Sequence, residues 1–358
     1  MPCFRDTLER LLKKRAQKML EALTYDDVLL LPQYSDIRSR SEIDISTDLG
    51  NGVKLGLPIL ASPMDTISGE KMAVSMSEAG GSAIIHRYNT IEEQAEIVTL
   101  AKASGAEPVG FAVGVGDDLL HRANACLSAG ADFICVDVAH GHHIMMKEAL
   151  TLLRREFPPD IHIMAGNVAT VAGVNDLADW GANSVRCNIG GGSICSTRIQ
   201  TGHGAPGLHT VSDCARTDRN VAIIADGGLR NSGDIVKALA AGADAVMLGS
   251  LLAGTKETPG EVHTNSQGQK YKTYRGMASK EAQVDWRGKY SSFEGISSTV
   301  LYRGKVANIL DDIARGMRSG LSYSGARSLK ELYAKAVWVR QTSVGLSESK
   351  THITTRDW

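Results

Sequence analysis

One cysteine stands in a setting that could make it reactive. Cys195 sits in the run Gly190-Gly191-Gly192-Ser193-Ile194-Cys195-Ser196-Thr197-Arg198. Successive glycines let a backbone approach an ion or a ligand closely. A partly exposed thiol among backbone amides can ionise more readily than a buried one and act as a nucleophile. The competing account is an inert thiol beside an ordinary glycine turn. A second cluster suits a phosphate and a sugar. Asp226-Gly227-Gly228 and Gly249-Ser250 each follow an apolar run. Amides at Gly228 and Gly249, with the Ser250 hydroxyl, can face an anion. The Asp226 carboxylate can accept ribose hydroxyls. Tight turns alone would explain these glycines but not their clustering.

A third group is Asp137 with His140, His142 and His143. It lacks a standard metal-ligand spacing and a convincing fourth ligand. A loop touching substrate or cofactor, or plain surface histidines, are the two readings left. Glu294-Gly295 lies in a polar stretch and gains a role only if that stretch folds over the site.

These residues need a frame that brings them together. Mostly apolar runs occur at 58–61, 82–86, 108–113, 133–138, 161–165, 184–189, 221–225 and 245–248. Runs of this length are typical of parallel strands buried on both faces. Helical periodicity fills the intervals, as at 91–103 and 233–241. The pattern predicts a single-domain (β/α)8 TIM barrel, whose active sites form at the C-terminal strand ends. A weak repeat supports it. Ala129-Gly130-Ala131-Asp132, Trp180-Gly181-Ala182-Asn183 and Ala241-Gly242-Ala243-Asp244 each separate a helical segment from a strand. Glycine there can close a helix in the left-handed conformation. The barrel is expected over 24–340, with a long aperiodic flap at 251–303 and a closing helix over 302–321. A helical extension over 1–23 and a polar tail over 341–358 flank it. Within the extension, residues 5–18 alternate charges with Leu8, Leu11 and Leu12, as an amphipathic helix does.

Composition narrows the function classes. The chain has 358 residues, 43% hydrophobic and 22% charged, with net charge −1, so it can bury a large core. Nucleic-acid binding is not expected without a basic excess. No run of about 18 apolar residues suggests a membrane span. None of the six cysteines forms a C-x-x-C pair. With no secretory pattern, a cytoplasmic protein with reduced thiols is expected.

The cysteine loop at 190–198 resembles that of IMP dehydrogenases and GMP reductases. Tyr25-Asp26-Asp27-Val28-Leu29-Leu30, Ser62-Pro63-Met64-Asp65-Thr66, Ala165-Gly166-Asn167-Val168, Ala225-Asp226-Gly227-Gly228 and Tyr274-Arg275-Gly276-Met277 resemble further motifs of that family, in order along the chain. The resemblance runs from about residue 24 to about 352. It implies a (β/α)8 barrel, usually a homotetramer, that binds a purine nucleoside monophosphate. Phosphate would lie at Ser193, Gly228, Gly249 and Ser250, with ribose at Asp226 beside Gly227. Tyr274, Gly276 and Met277 would line the base and phosphate, with Ser62 and Met64 near the purine. Asp137, His140, Gly141 and Asn167 would meet the nicotinamide cofactor. Carbonyls of Gly190, Gly192 and Cys195 would hold potassium.

Two chemistries share this implied scaffold, both through a Cys195 thioimidate at purine C2. A GMP reductase displaces ammonia and accepts hydride from NADPH, with Thr197 and Glu294 assisting departure of the amine. An IMP dehydrogenase gives hydride to NAD, then hydrolyses the adduct with an Arg-Tyr pair on its flap. Residues 277–294 contain no Arg-Tyr pair, and Trp286-Arg287 is the nearest approximation. The CBS modules usual in the dehydrogenases are absent between His86 and Pro108. Ser62, where many reductases have asparagine, and the tail from Gly345 to His352 pull towards the dehydrogenase. The missing flap base removes a chemical step, so GMP reduction is the expectation, with IMP oxidation as the alternative. A non-catalytic nucleotide sensor is a remote third reading, because Cys195, Thr197 and Glu294 are kept together. The loop departs from the family twice: Gly191 replaces a common proline, and Arg186-Cys187-Asn188 replaces Lys-Val-Gly. Both bear on the loop's rigidity.

Overall fold

The computed structural model describes residues 20–290 and 293–349. The helix expected over 5–18 lies outside the described residues, as does the tail beyond 349. Eight parallel strands close into a barrel. They are β1 (Ile59–Ala61), β2 (Ser82–Ile85), β3 (Val109–Val113), β4 (Phe133–Asp137), β5 (His162–Val168), β6 (Ser184–Cys187), β7 (Ala222–Asp226) and β8 (Ala245–Leu248). Pairing of Val246 with Ile59, Met247 with Leu60 and Leu248 with Ala61 closes the ring. Every apolar run became a strand, so the (β/α)8 expectation holds. The largest difference is at β5, which continues to Val168 through an irregular pairing with β6.

Strand residues alternate between two cores. Leu60, Ile84, Ala112, Cys135, Met164, Ile224 and Met247 fill the barrel interior. Ile59, Ile85, Val113, Val136, Ala165, Val185, Ile223 and Val246 face the surrounding helices. Both faces are apolar, which is why the runs read as continuous. Strand β6 is different: its inward residues are Ser184 and Arg186, both buried. A short hairpin beneath the barrel adds Leu49, Val53 and Leu55 to the interior cluster.

Helices α1 (Glu70–Glu78), α2 (Ile91–Ala103), α3 (Leu119–Ser128), α4 (Ile144–Glu156), α5 (Val171–Asp179), α6 (Thr197–Thr201), α7 (Gly207–Cys214) and α8 (Ser232–Ala240) alternate with the strands. Helix α2 begins at a capping box, with Thr90 Oγ1 accepting from Glu93 N and Glu93 Oε2 accepting in turn from Thr90 N. Gly130, Gly181 and Gly242 carry φ of 96°, 115° and 107°, as helix-closing glycines do.

The stretch after β8 is more regular than its sequence suggests. β9 (His263–Thr264), β10 (Lys270–Arg275) and β11 (Ser297–Leu301) form an antiparallel sheet, and α9 (Lys280–Arg287) bridges the last two. The buried face of β10 carries Lys272 and Tyr274. A lysine there hides the alternation. Its ammonium is satisfied by the carbonyls of Thr255 and Thr258. Helix α10 (Val306–Tyr323) follows. The segment Trp338–Arg340 then pairs with Val28–Leu30, tying the two ends of the described chain together. Among the described residues no helix is long and apolar enough to cross a membrane.

Beneath the site, His162 is fully buried between Gly50 O (2.9 Å) and Ser184 Oγ (2.8 Å). Burial lowers its pKa from 6.5 to about 4, opposed in part by the Gly50 bond. The unfolded chain therefore binds a proton that the folded chain refuses as pH falls from 6.5 to about 4. Stability from this residue is complete above pH 6.5 and is lost across that window, on the order of 3 kcal/mol. Urea midpoints measured against pH should show this acid slope, and it should flatten in His162→Gln.

Candidate active site

A cavity of about 340 Å³ opens at the C-terminal ends of the strands. Ser62 and Met64 reach it from the end of β1, Asp137 from β4 and Asn167 from β5. The loop after β6 supplies Gly190, Gly192, Ser193, Cys195 and Thr197. Asp226, Gly227 and Gly228 come from β7, and Gly249 and Ser250 from β8. The flap closes one side with Tyr274, Gly276, Met277 and Glu294. His140 and Gly141 do not line the cavity. The Gly141 amide is bonded to Asn167 O instead, at 2.7 Å.

Cys195 is the only half-exposed cysteine among the described residues. Cys126, Cys135, Cys187 and Cys214 are buried. Burial pushes the Cys126 and Cys135 thiols up to about 12. The Cys195 amide bonds Gly192 O at 3.1 Å, turning the side chain back to the cavity. Its Sγ donates to Thr197 Oγ1 at 3.1 Å, and Thr197 Oγ1 donates to Glu294 Oε2 at 2.7 Å. A hydroxyl gives one proton and accepts another, so the chain runs thiol, hydroxyl, carboxylate. It can move a proton between sulfur and the flap carboxylate.

Residue Glu294 is 97 positions from Thr197, and backbone bonds bring it there. Ser196 N donates to Glu294 O at 2.8 Å, and Ile296 N donates to Ile194 O at 3.0 Å. The flap thus adds a short antiparallel bridge to the cysteine loop, Cys195 opposite Gly295. On the other side, Arg275 Nη2 and Nε bind Asp65 Oδ2 at 2.6 and 2.9 Å. Asp65 N also donates to Met277 Sδ at 3.2 Å.

Arg186 organises the acidic residues. Its Nη2 and Nε bond Asp226 Oδ2 at 2.8 and 3.2 Å, and its Nη1 bonds Asp137 Oδ1 at 2.5 Å. Asn167 Nδ2 adds a bond to Asp226 Oδ2 at 2.8 Å. Burial alone would lower the Arg186 pKa, but Asp226 and Asp137 more than offset it, and the group stays charged. Three donors thus converge on Asp226 Oδ2, and Asp226 lines the cavity. Sequence reasoning missed Arg186 as a site residue. Its signal was an arginine inside an otherwise buried strand, which demands a paired partner.

The opposite wall is glycine-lined and close. A side chain at Gly249 would meet Tyr274 Oη at 3.0 Å, Met64 Sδ at 3.3 Å and Ser62 Oγ at 3.6 Å. Burial raises the Tyr274 pKa, against a hydrogen bond with Ser193, so its hydroxyl stays protonated and can donate. Two of the three histidines have partners outside the cavity. His142 pairs with Asp176 at 2.7 Å, and His143 caps α4 through Met145 N at 3.2 Å. Among the described residues no group of three or more His, Cys, Asp or Glu side chains could hold a metal. Arg87 and Tyr88 also line the cavity, unforeseen from sequence. Tyr88 stacks on Trp286 of the flap helix at 4.4 Å between ring centres.

Comparison with known proteins places this geometry. Residues 22–352 match the IMP dehydrogenase / GMP reductase domain. The chain is 33% identical to the inosine-5'-monophosphate dehydrogenase of Nitrosopumilus maritimus, covering 93% of this chain and 98% of that protein. It is 32% identical to the GMP reductase of Leishmania major, covering 93% and 97%. Both alignments exceed 358 positions, at 469 and 477, so those relatives carry inserted residues that this chain lacks. A crystal structure of a cysteine-to-alanine variant of GMP reductase from Trypanosoma brucei, in complex with guanosine 5'-monophosphate, superposes with a TM-score of 0.90 at 31% identity, covering 95% of this chain and 99% of that one.

Brief alkylation with iodoacetamide followed by peptide mapping should modify Cys195 and spare Cys126, Cys135, Cys187 and Cys214. Early modification at any of those four would contradict the exposures described above.

Proposed function

Because the chain belongs to the IMP dehydrogenase/GMP reductase family of oxidoreductases, we propose that it reduces GMP to IMP and ammonia with NADPH. The observation that carries this reading is the Cys195–Thr197–Glu294 hydrogen-bond chain, built into a cavity that Arg287 does not line. Tyr88 stacks on Trp286, and the Arg287 guanidinium lies over the Trp286 ring at 4.1 Å. An arginine held there is poorly placed to activate water at the cysteine adduct.

In the proposed reaction the Cys195 thiol loses its proton through Thr197 to Glu294, and sulfur bonds C2 of the purine. The relay returns that proton to the exocyclic amine, which leaves as ammonia, and a thioimidate remains on Cys195. NADPH supplies hydride to C2 when bound. The C–S bond then breaks, IMP is released, and the thiolate is reprotonated. Asp226, held by Arg186 and Asn167, takes ribose hydroxyls through its Oδ1. Ser193, Gly228, Gly249 and Ser250 receive the phosphate, and Tyr274 donates beside it. Asp137, His140, Gly141 and Asn167 would meet the cofactor, and of these Asp137 and Asn167 line the cavity itself.

Potassium would be held by carbonyls of Gly190, Gly192 and Cys195. Their chemistry fits a monovalent cation. Gly192 O accepts one amide bond, from Cys195, and no backbone amide bond to the carbonyls of Gly190 or Cys195 is found among the described residues. Homotetramer assembly belongs to the same proposal. Leu29, Leu31, Val337, Trp338 and Val339 form an exposed apolar ribbon that assembly could cover. IMP oxidation with NAD is the second reading, because relatives of comparable identity carry each name.

One assay separates the readings. GMP with NADPH should consume the reduced nicotinamide and release ammonia, whereas IMP with NAD should give little product; the reverse result identifies the dehydrogenase. Cys195→Ala should abolish turnover while GMP still binds by calorimetry, and appreciable activity in it would defeat the mechanism. Glu294→Gln should lower kcat by about 10²–10⁴-fold. Arg287→Ala should leave GMP reduction largely intact.

A further inference from the structure

Asn188 directly follows β6, with φ of 152° and 5% exposure. A non-glycine residue at such a φ is strained and persists only where its surroundings hold it. Here both backbone groups are held: Asn188 N donates to Val168 O at 2.9 Å, and Asn188 O accepts from Asn167 Nδ2 at 3.0 Å. Its side-chain Nδ2 donates to Asp226 O at 2.9 Å and to Gly227 O at 3.3 Å. Two carbonyls can only accept, which sets the orientation of the amide. The side chain thus leaves the root of the cysteine loop and grips the turn that carries Asp226.

The same side chain decides what can stand at 191. A Cβ on Gly191 would lie 2.2 Å from Asn188 Nδ2 and 2.6 Å from its Oδ1. No side chain fits at that separation. Gly191 O in turn lies 2.9 Å from where a Cβ on Gly228 would sit. Asn188 therefore excludes a side chain at 191, and the carbonyl of 191 crowds the phosphate-facing turn.

We propose that Asn188 is a positioning residue for Cys195, and that its interlock with Gly191 sets the height of the nucleophile loop over the Asp226–Gly227 turn. The proposal rests on Cys195 being the nucleophile of the reaction above. It also explains the two loop departures jointly. Asparagine at 188 demands glycine at 191, and the bare backbone at 191 is held still by the amide that fills its space. Sulfur and the ribose carboxylate are then fixed on one rigid unit, so a shift of the loop misplaces sulfur from C2 without removing any group that binds the nucleotide.

Asn188→Gly, Gly191→Ala and the double variant test this, read as kcat, KM for GMP and the rate of Cys195 alkylation by iodoacetamide. Gly191→Ala should lower kcat by about 100-fold, the scale of an ångström's misplacement, with KM within about threefold of wild type. The double variant should recover at least about tenfold of that loss, a non-additivity that independent sites do not show. Asn188→Gly puts glycine at a φ glycine favours, and an unaltered thermal midpoint in it would show that the effect is not loss of folding. Wild-type kcat in Gly191→Ala, or a double variant equal to the product of the singles, would overturn the proposal. Should the wild-type protein not reduce GMP, the alkylation rates still decide: non-additive rates sustain the interlock while the proposed reaction falls, and additive rates sink the interlock itself.

Discussion

A guanidinium buried between two carboxylates governs the mouth of this barrel. Arg186 is 6% exposed and points inward from β6, where other strands place aliphatic side chains. A charge in such a place is tolerated only when paired and hydrogen-bonded, and removing one partner of a buried pair costs about 3–5 kcal/mol. Arg186 meets that requirement with Asp137 from β4 and Asp226 from β7. One cation therefore fixes two acids from non-adjacent strands. Gly166, opposite Arg186 in the β5–β6 register, makes room: a Cβ there would lie 2.6 Å from the Cβ of Arg186.

What Arg186 does for the acids, the flap does for the thiol. Cys195 has no carboxylate near it in sequence. Glu294 arrives from a sheet and helix inserted after β8, and two backbone hydrogen bonds seat it across the cysteine loop. The far side of the flap is anchored by Arg275 on Asp65, beside Met64 at the end of β1. The thiol–hydroxyl–carboxylate hydrogen-bond chain is thus clamped between the loops after β1 and β6. Displacing either clamp would misplace Glu294 without touching a reacting atom.

Much of the fold was legible because buried parallel strands advertise themselves as unbroken apolar runs, and all eight did. The cysteine loop and the glycine turns after β7 and β8 were legible for a related reason. Close backbone approach requires glycine, and glycine clusters are visible. The flap sheet was not, because Lys272 occupies a buried position and satisfies its charge on carbonyls, which no hydrophobic pattern records. The bond from the Gly141 amide to the carbonyl of Asn167, which joins the loop after β4 to the end of β5, has no local sequence signal either.

The sequence by itself determined the barrel, the order of its strand ends and which of six cysteines stands on a glycine loop, since these follow from local residue type and period. It could not determine which distant groups meet. That Glu294 reaches Thr197, that Arg186 joins Asp137 to Asp226, and that Asn188 fills the space beside Gly191 were decided by closure of the ring and docking of the flap. Those contacts depend on distances across the barrel mouth, and no local pattern of residues encodes such a distance.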